Sequence, residues 1–263
     1  MMKRLLLMIL FLQMRFMRCN ILIRLTIVTI CMSMCFYANA RTYLVAVGVS
    51  DYSGFPSEVN NLRLPTKDAE TIVDLYTKNA SVDYSLLLNE KATKDRIIRA
   101  IKKVFNQADE NDIVVFFFSG HGYPGGFCAY DGNIGYDEVR QAMAESKSKT
   151  KMMFVDACRS GGMRVDETTA QSAISSAQKA NVMLFLSSRN NEDSAERSYM
   201  KNGVFTTFLQ RGLRGNADAN RDRIITAKEL FDFVHAGVSR NTGGAQHPVM
   251  WGNFSDNMVV MRW

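Results

Sequence analysis

The sequence predicts an α/β sandwich with a mainly parallel central sheet, and two observations carry that reading. Four apolar runs, residues 43–49, 112–118, 151–155 and 182–186, are too short for helices. They lack the polar alternation of half-exposed strands, so they read as strands buried on both faces. Most of the stretches between them carry apolar residues at helical spacing. Strands alternating with amphipathic helices give a sheet covered on both sides.

The elements follow in chain order. Residues 43–49 (YLVAVGV) form a strand that ends near Gly48. Residues 66–80 place Ala69, Ile72, Val73, Tyr76 and Ala80 on one helical face, and 85–89 read as a short strand. Residues 93–108 carry Ile97, Ile98, Ile101, Val104 and Phe105, an amphipathic helix. DIVVFFF (112–118) is the central strand. Residues 126–135 predict a hairpin turning at Asp131-Gly132-Asn133. A short helix over 136–145 leads to strands at 151–155 and 182–186. Helices are expected at 204–213 and 226–238, with a closing strand at 258–261. Residues 162–181 are the least hydrophobic stretch after residue 40 and read as a surface helix or an exposed loop. There are no internal repeats, and one domain over 41–263 accounts for the chain.

Residues 1–40 differ from the rest. They hold Lys3, Arg4, Arg15, Arg18 and Arg24 and no acid, then an apolar run at 25–37, then Ala38-Asn39-Ala40. A basic start, a short apolar run and a small-residue end describe a secretory signal peptide. The run is short for a membrane span. A start at Met14 or Met17 leaves a signal of ordinary length. The remainder is then expected to be exported, periplasmic or secreted, with no membrane attachment. Setting 1–40 aside removes five of the 32 basic residues and none of the 26 acids. The positive net charge therefore belongs largely to the leader and gives no support for nucleic-acid binding.

Of five cysteines, Cys19, Cys31 and Cys35 belong to the leader, so only Cys128 and Cys158 remain. Two cysteines do not make a disulfide framework. Cys128 reads as a small buried apolar residue. Cys158 reads differently, because in an oxidising compartment a free thiol calls for a reason and catalysis is one.

In open parallel sheets, function gathers at the carboxyl ends of the strands. Here the central strand runs into Ser119-Gly120-His121-Gly122, and the 151–155 strand into Asp156-Ala157-Cys158. If these strands are neighbours, His121 and Cys158 meet at one edge. A cysteine protease needs a thiolate and a proton donor for the leaving amine, and imidazole serves because it titrates near neutrality. It also needs donors for the tetrahedral oxyanion, for which the backbone amides of Gly122 and Cys158 are the candidates. Either residue alone has an ordinary explanation, a turn histidine or a structural cysteine. Their joint occurrence after buried strands favours chemistry.

The segments FFFSGHG (116–122) and FVDACRSGG (154–162) resemble the catalytic blocks of the caspase and metacaspase family. Asp156 stands where the caspase signature has glutamine, and Ser160 intervenes before the glycine, as in the metacaspase-like bacterial branch. YLVAVGVSDY, NNLRLPTKDAE, NGVFTTFLQRGLRG and QHPVMWGNFS agree, so the resemblance covers essentially all of 41–263. It implies a three-layer α/β/α sandwich and a protein or peptide substrate. It also implies that Asp156, Asp68 and Ser119 line the pocket for the residue before the scissile bond. Two carboxylates there favour arginine or lysine. Asp68 reads equally well as an acid complementing a helix N-terminus, and Asp156 as a carboxylate bonding loop amides. Ser187 and Ser188 are carried over as a substrate-facing wall. Self-cleavage near Arg164 or Lys179 is a further implication.

DANRDRIITAKE (218–229) places Asp218, Asn220, Asp222, Thr226 and Glu229 at positions 1, 3, 5, 9 and 12 of an EF-hand-like loop. Arg223 occupies position 6, where the sharp turn calls for glycine, and Thr226 with Glu229 also makes a helix capping box. Calcium is thus a candidate ligand with a strong structural alternative. His235 and His247 read as structural. No zinc signature, phosphate loop or cofactor motif is present, so no required cofactor is expected. Two other functions compete: a non-catalytic caspase-like binding or scaffold protein, disfavoured because both dyad residues are retained, and a thiol-redox pair of Cys128 with Cys158, disfavoured by the absence of Cys-x-x-Cys.

Overall fold

A computed structural model describes residues 40–57, 59–79, 81–123, 125–157, 182–187 and 200–262. Residues 41–263 form one compact unit. The expected surface stretch at 162–181 lies outside the described residues.

The main sheet has six strands: β1 (Thr42–Gly48), β2 (Val82–Leu88), β3 (Ile113–Gly120), β7 (Thr150–Ala157), β8 (Val182–Leu186) and β10 (Val249–Trp251). Their spatial order is β10-β8-β7-β3-β1-β2. All neighbours are parallel except β10, which runs antiparallel to β8. The apolar runs alternate between two faces, as strand geometry demands. On one face Val45, Val47, Phe116, Phe118, Met153, Val155 and Leu184 pack against helices α2 (Lys94–Phe105) and α3 (Tyr136–Ala144). On the other Leu44, Ala46, Phe117, Phe154 and Phe185 pack against α1 (Pro65–Asn79), α4 (Val204–Arg211) and α5 (Ala227–Asn241). Three layers follow, and both sides of the central strands are dry, which is why the sequence shows runs instead of alternation.

Most expected elements stand within a residue or two of their predicted bounds. The exceptions have local causes. Strand β2 begins at Val82, three residues before the expected 85, because β1 offers a partner for Asp83 and Tyr84 despite their polarity and exposure. The hairpin is β5 (Gly126–Ala129) with β6 (Gly132–Gly135). Ala129 pairs with Gly132, so the turn is Tyr130-Asp131 and Gly132 opens β6 at φ 151°. A two-residue strand, β4 (Gly122–Tyr123), joins this hairpin directly after His121. The closing strand, β11 (Val259–Arg262), pairs with β9 (Ile224–Thr226) outside the main sheet. The expected helix over 204–213 is α4 followed by a wider turn at Gly212–Asn216.

Helix α1 starts hard against the carboxyl end of β1. A Cβ added at Gly48 would lie 2.4 Å from the Pro65 carbonyl oxygen and 2.8 Å from the Thr66 Cα. Backbone on both sides leaves little room for relief. Gly48→Ala is therefore expected to cost about 2 kcal/mol, read as a lowered urea midpoint at unchanged m-value. An unchanged midpoint would mean that α1 is free to slide off β1.

Candidate active site

Strands β3 and β7 pair in register, Ser119 opposite Asp156 and Gly120 opposite Ala157. The next residue in each chain is His121 and Cys158. Cys158 lies outside the described residues, as do Ser188, Arg164 and Lys179.

The histidine is held from the side of the loop after β1. Its Nε2 lies 2.7 Å from the backbone oxygen of Asn60. A carbonyl only accepts, so Nε2 carries a proton here, and Nδ1 is the nitrogen left to exchange one. The His121 backbone N–H donates to the Tyr52 hydroxyl at 2.6 Å, and the Tyr52 ring lies 4.7 Å from the imidazole, centroid to centroid. The Cys128 N–H donates to the His121 carbonyl at 2.9 Å. Tyr52, Phe55, Val59 and Asn60 also border a cavity of about 660 Å³. Gly122, the second oxyanion candidate, opens β4 directly after the imidazole.

Asp68, Ser119 and Asp156, from three different elements, come together. The Ser119 hydroxyl donates to Asp68 Oδ2 at 2.9 Å. Asp68 Oδ1 accepts from the Asn202 amide at 2.9 Å and the Gly203 N–H at 3.0 Å. Asp156 Oδ2 accepts the backbone N–H and the hydroxyl of Thr206, at 3.1 and 2.7 Å. Gly203 is the N-cap of α4, so both acids sit at the positive end of that helix and satisfy amides that would otherwise be orphaned. A Cβ on Gly203 would fall 2.5 Å from Asp156 Oδ2 and 3.2 Å from Asp68 Oδ2, so the two carboxylates share one small space. Asp68 is 1 % exposed and Asp156 5 %. Burial first, then the charge of Asp156, pushes the Asp68 carboxyl up to about 8, against the bonds from Asn202, Ser119 and Gly203.

Ser187 is fully buried, and its hydroxyl bonds both the N–H and the C=O of Ala157, at 3.1 and 3.0 Å. It holds the residue before Cys158. Gln246 in turn donates to the Ser187 carbonyl at 2.8 Å. Cys128 is also buried, and burial pushes its thiol up to about 11, as befits an inert cysteine. His235 and His247 lie ring beside ring, 6.1 Å between centroids, with Phe231 5.3 Å from His235.

In the Asp218–Glu229 loop the side chains serve the loop itself. Asp218 accepts the amides of Asp222 and Arg223, Asn220 that of Asp222, and Asp222 that of Ile224. Glu229 completes the capping box with Thr226 and accepts the Ala219 amide. Arg223 adopts φ 64°, the left-handed backbone for which glycine was expected. Among the described residues, no group of three His, Cys, Asp or Glu is placed to hold a metal ion.

Sequence reasoning gave no role to Tyr52, Asn60, Asn202, Gly203 or Thr206. The stretches containing them were visible, but their contacts span more than forty residues, and no local spacing reports such pairings.

The carboxylate pair has a measurable signature. Between about pH 4, the ordinary range, and about 8 the folded protein keeps a proton on Asp68 that the unfolded chain has released. Unfolding free energy therefore falls as pH rises through that window. Asp68→Asn mimics the protonated acid, so its stability relative to wild type is expected to climb with pH from 4 to 8 in urea unfolding. A pH-independent difference would remove the strain assigned to this pair.

Comparison with known proteins agrees with this architecture. The caspase-domain family matches residues 41–259. Three solved structures superpose over 84 % of the chain. A structural-genomics protein from Geobacter sulfurreducens gives a TM-score of 0.60 at 18 % identity over 97 % of its length. Caspase-1 from Spodoptera frugiperda gives 0.60 at 14 % over 89 %, and its pro-form 0.59 at 14 % over 95 %. No match was found among curated proteins. With its parallel sheet, flanking helices and a family match over nearly all of 41–263, the chain belongs to the caspase-domain family.

Proposed function

We propose that the protein is a cysteine endopeptidase that cuts after arginine or lysine, with Cys158 as nucleophile and His121 as its acid-base partner. The observation that carries this reading is the register of β3 and β7, which ends the two strands at Gly120 and Ala157, each followed by its dyad residue.

His121 keeps Nε2–H on the Asn60 carbonyl, and Nδ1 takes the thiol proton. The thiolate of Cys158 attacks the scissile carbonyl, and the oxyanion receives the N–H groups of Gly122 and Cys158. The imidazolium returns its proton to the leaving amine as the C–N bond breaks. Water, deprotonated by His121, then hydrolyses the thioester and frees the thiol. Asp68 and Asp156 supply the preference for a basic residue. Asp68 is bound by neutral donors and keeps its proton beside Asp156, and among the described residues no cation is one of the groups that act on it. A guanidinium or ammonium group supplies the missing charge.

Residues 1–40 are read as the export signal. Calcium is the candidate ligand of the Asp218–Glu229 loop, so it enters the test as a variable.

The test is hydrolysis of fluorogenic peptides ending in arginine, lysine or aspartate, with and without calcium. Cleavage after arginine or lysine is expected, lost in Cys158→Ala and reduced at least about 100-fold in His121→Ala. Asp156→Asn is expected to raise KM for basic peptides. Silence on all three peptides from folded protein, with and without calcium, favours the non-catalytic binding protein. Cleavage after aspartate would overturn the basic pocket.

A further inference from the structure

We propose that Tyr52 is a positioning residue for the His121 imidazole, the fixed point through which the loop after β1 keeps Nε2 on the Asn60 carbonyl and leaves Nδ1 as the working nitrogen. This rests on the reading of His121 as the acid-base residue.

Three contacts converge on one histidine from one loop. The Tyr52 hydroxyl takes the His121 backbone N–H at 2.6 Å, the Tyr52 ring packs on the imidazole at 4.7 Å, and Asn60 takes Nε2 at 2.7 Å. The tyrosine is itself fixed. It is 3 % exposed, and its hydroxyl donates onward to the Cys128 carbonyl at 3.4 Å. Its backbone N–H donates to the Asn61 side chain at 2.9 Å. That bond places Tyr52 and Asn60 on opposite sides of one closed loop, sealed at its base by Leu62 N–H to the Ser50 carbonyl at 2.9 Å. Gly120 makes the room, since a Cβ there would stand 2.5 Å from the Tyr52 hydroxyl oxygen. An imidazole on a strand end has two soft torsions of its own. Gripping its backbone, one ring face and one ring nitrogen removes that freedom before substrate arrives, the preorganisation that proton transfer requires.

The experiment is proton–nitrogen NMR of protein labelled with nitrogen-15 in histidine, in a Cys158→Ala background, beside kinetics in the Cys158 protein. A slowly exchanging Nε2–H signal from His121 is expected in Cys158→Ala. Tyr52→Phe, which keeps the ring and removes the hydroxyl, is expected to broaden that signal into exchange. Its kcat should fall about tenfold, with KM within about twofold. Asn61→Ala, which loosens the loop without touching His121, should do the same to a lesser degree and serves if Tyr52→Phe does not fold. An Nε2–H signal unchanged in either folded variant overturns the proposal, as does its absence from Cys158→Ala itself. The NMR arm needs no turnover. A silent enzyme with a protected Nε2–H would contradict the peptidase reading alone, while an active enzyme without it would contradict the role of Tyr52 alone.

Discussion

The pairing of β3 with β7 is the constraint on which the rest of the site depends. Eight residue pairs run in parallel register through the middle of the sheet, and strand pairing fixes side-chain direction to within a residue, because a one-residue slip would exchange the two faces. Phe116, Phe117 and Phe118 are fully buried between the helical layers, so such a slip would move large rings into spaces shaped for others. That rigidity reaches the strand ends, where Ser119 faces Asp156. The loop after β1 fastens the histidine on one side, and Ser187 fastens Ala157 on the other. Precision is built in the core and delivered at the edge.

The carboxylates show a different economy. Burying two acids in one space is unfavourable, and pairing a like charge with each makes it worse. The fold offsets part of that with the N-terminus of α4, whose first amides point at Asp68 and Asp156. The acids thereby serve as acceptors for the first amides of α4. Of the structural roles considered from the sequence, helix complement and amide acceptor, both are visible in these bonds, and neither conflicts with the pocket role proposed above. What differs is the helix: Asp68 lies in the first turn of α1, yet its bonds reach the start of α4.

Much of this was legible in the sequence because burial on both faces writes itself as continuous apolar runs. Phe116 to Phe118 and Val182 to Leu186 could be placed almost to the residue. Where exposure broke the run, as at Asp83 and Tyr84 in β2, the strand began earlier than its composition suggested, since pairing with β1 outweighed local polarity. His121, Cys158, Ser119 and Asp156 stand beside strand ends, and these four, with Asp68 in the first turn of α1, were singled out from motif and resemblance. Tyr52, Asn60 and Gly203 were not. Their significance lies in what they touch across the chain, and a tyrosine after a strand or a glycine before a helix has many uses. Cys158 itself lies outside the described residues.

The most direct test of the dyad is covalent. A peptide ending in an arginyl alkylating ketone should bind through its basic residue and alkylate the thiol that His121 activates, and mass mapping would locate the adduct. One adduct on Cys158 is expected, formed far more slowly in His121→Ala. Cys128 should stay unmodified, being buried with its thiol raised to about 11. Modification at Cys128, or an unchanged rate at Cys158 without the histidine, would contradict the assignment of His121 and Cys158 as one catalytic unit.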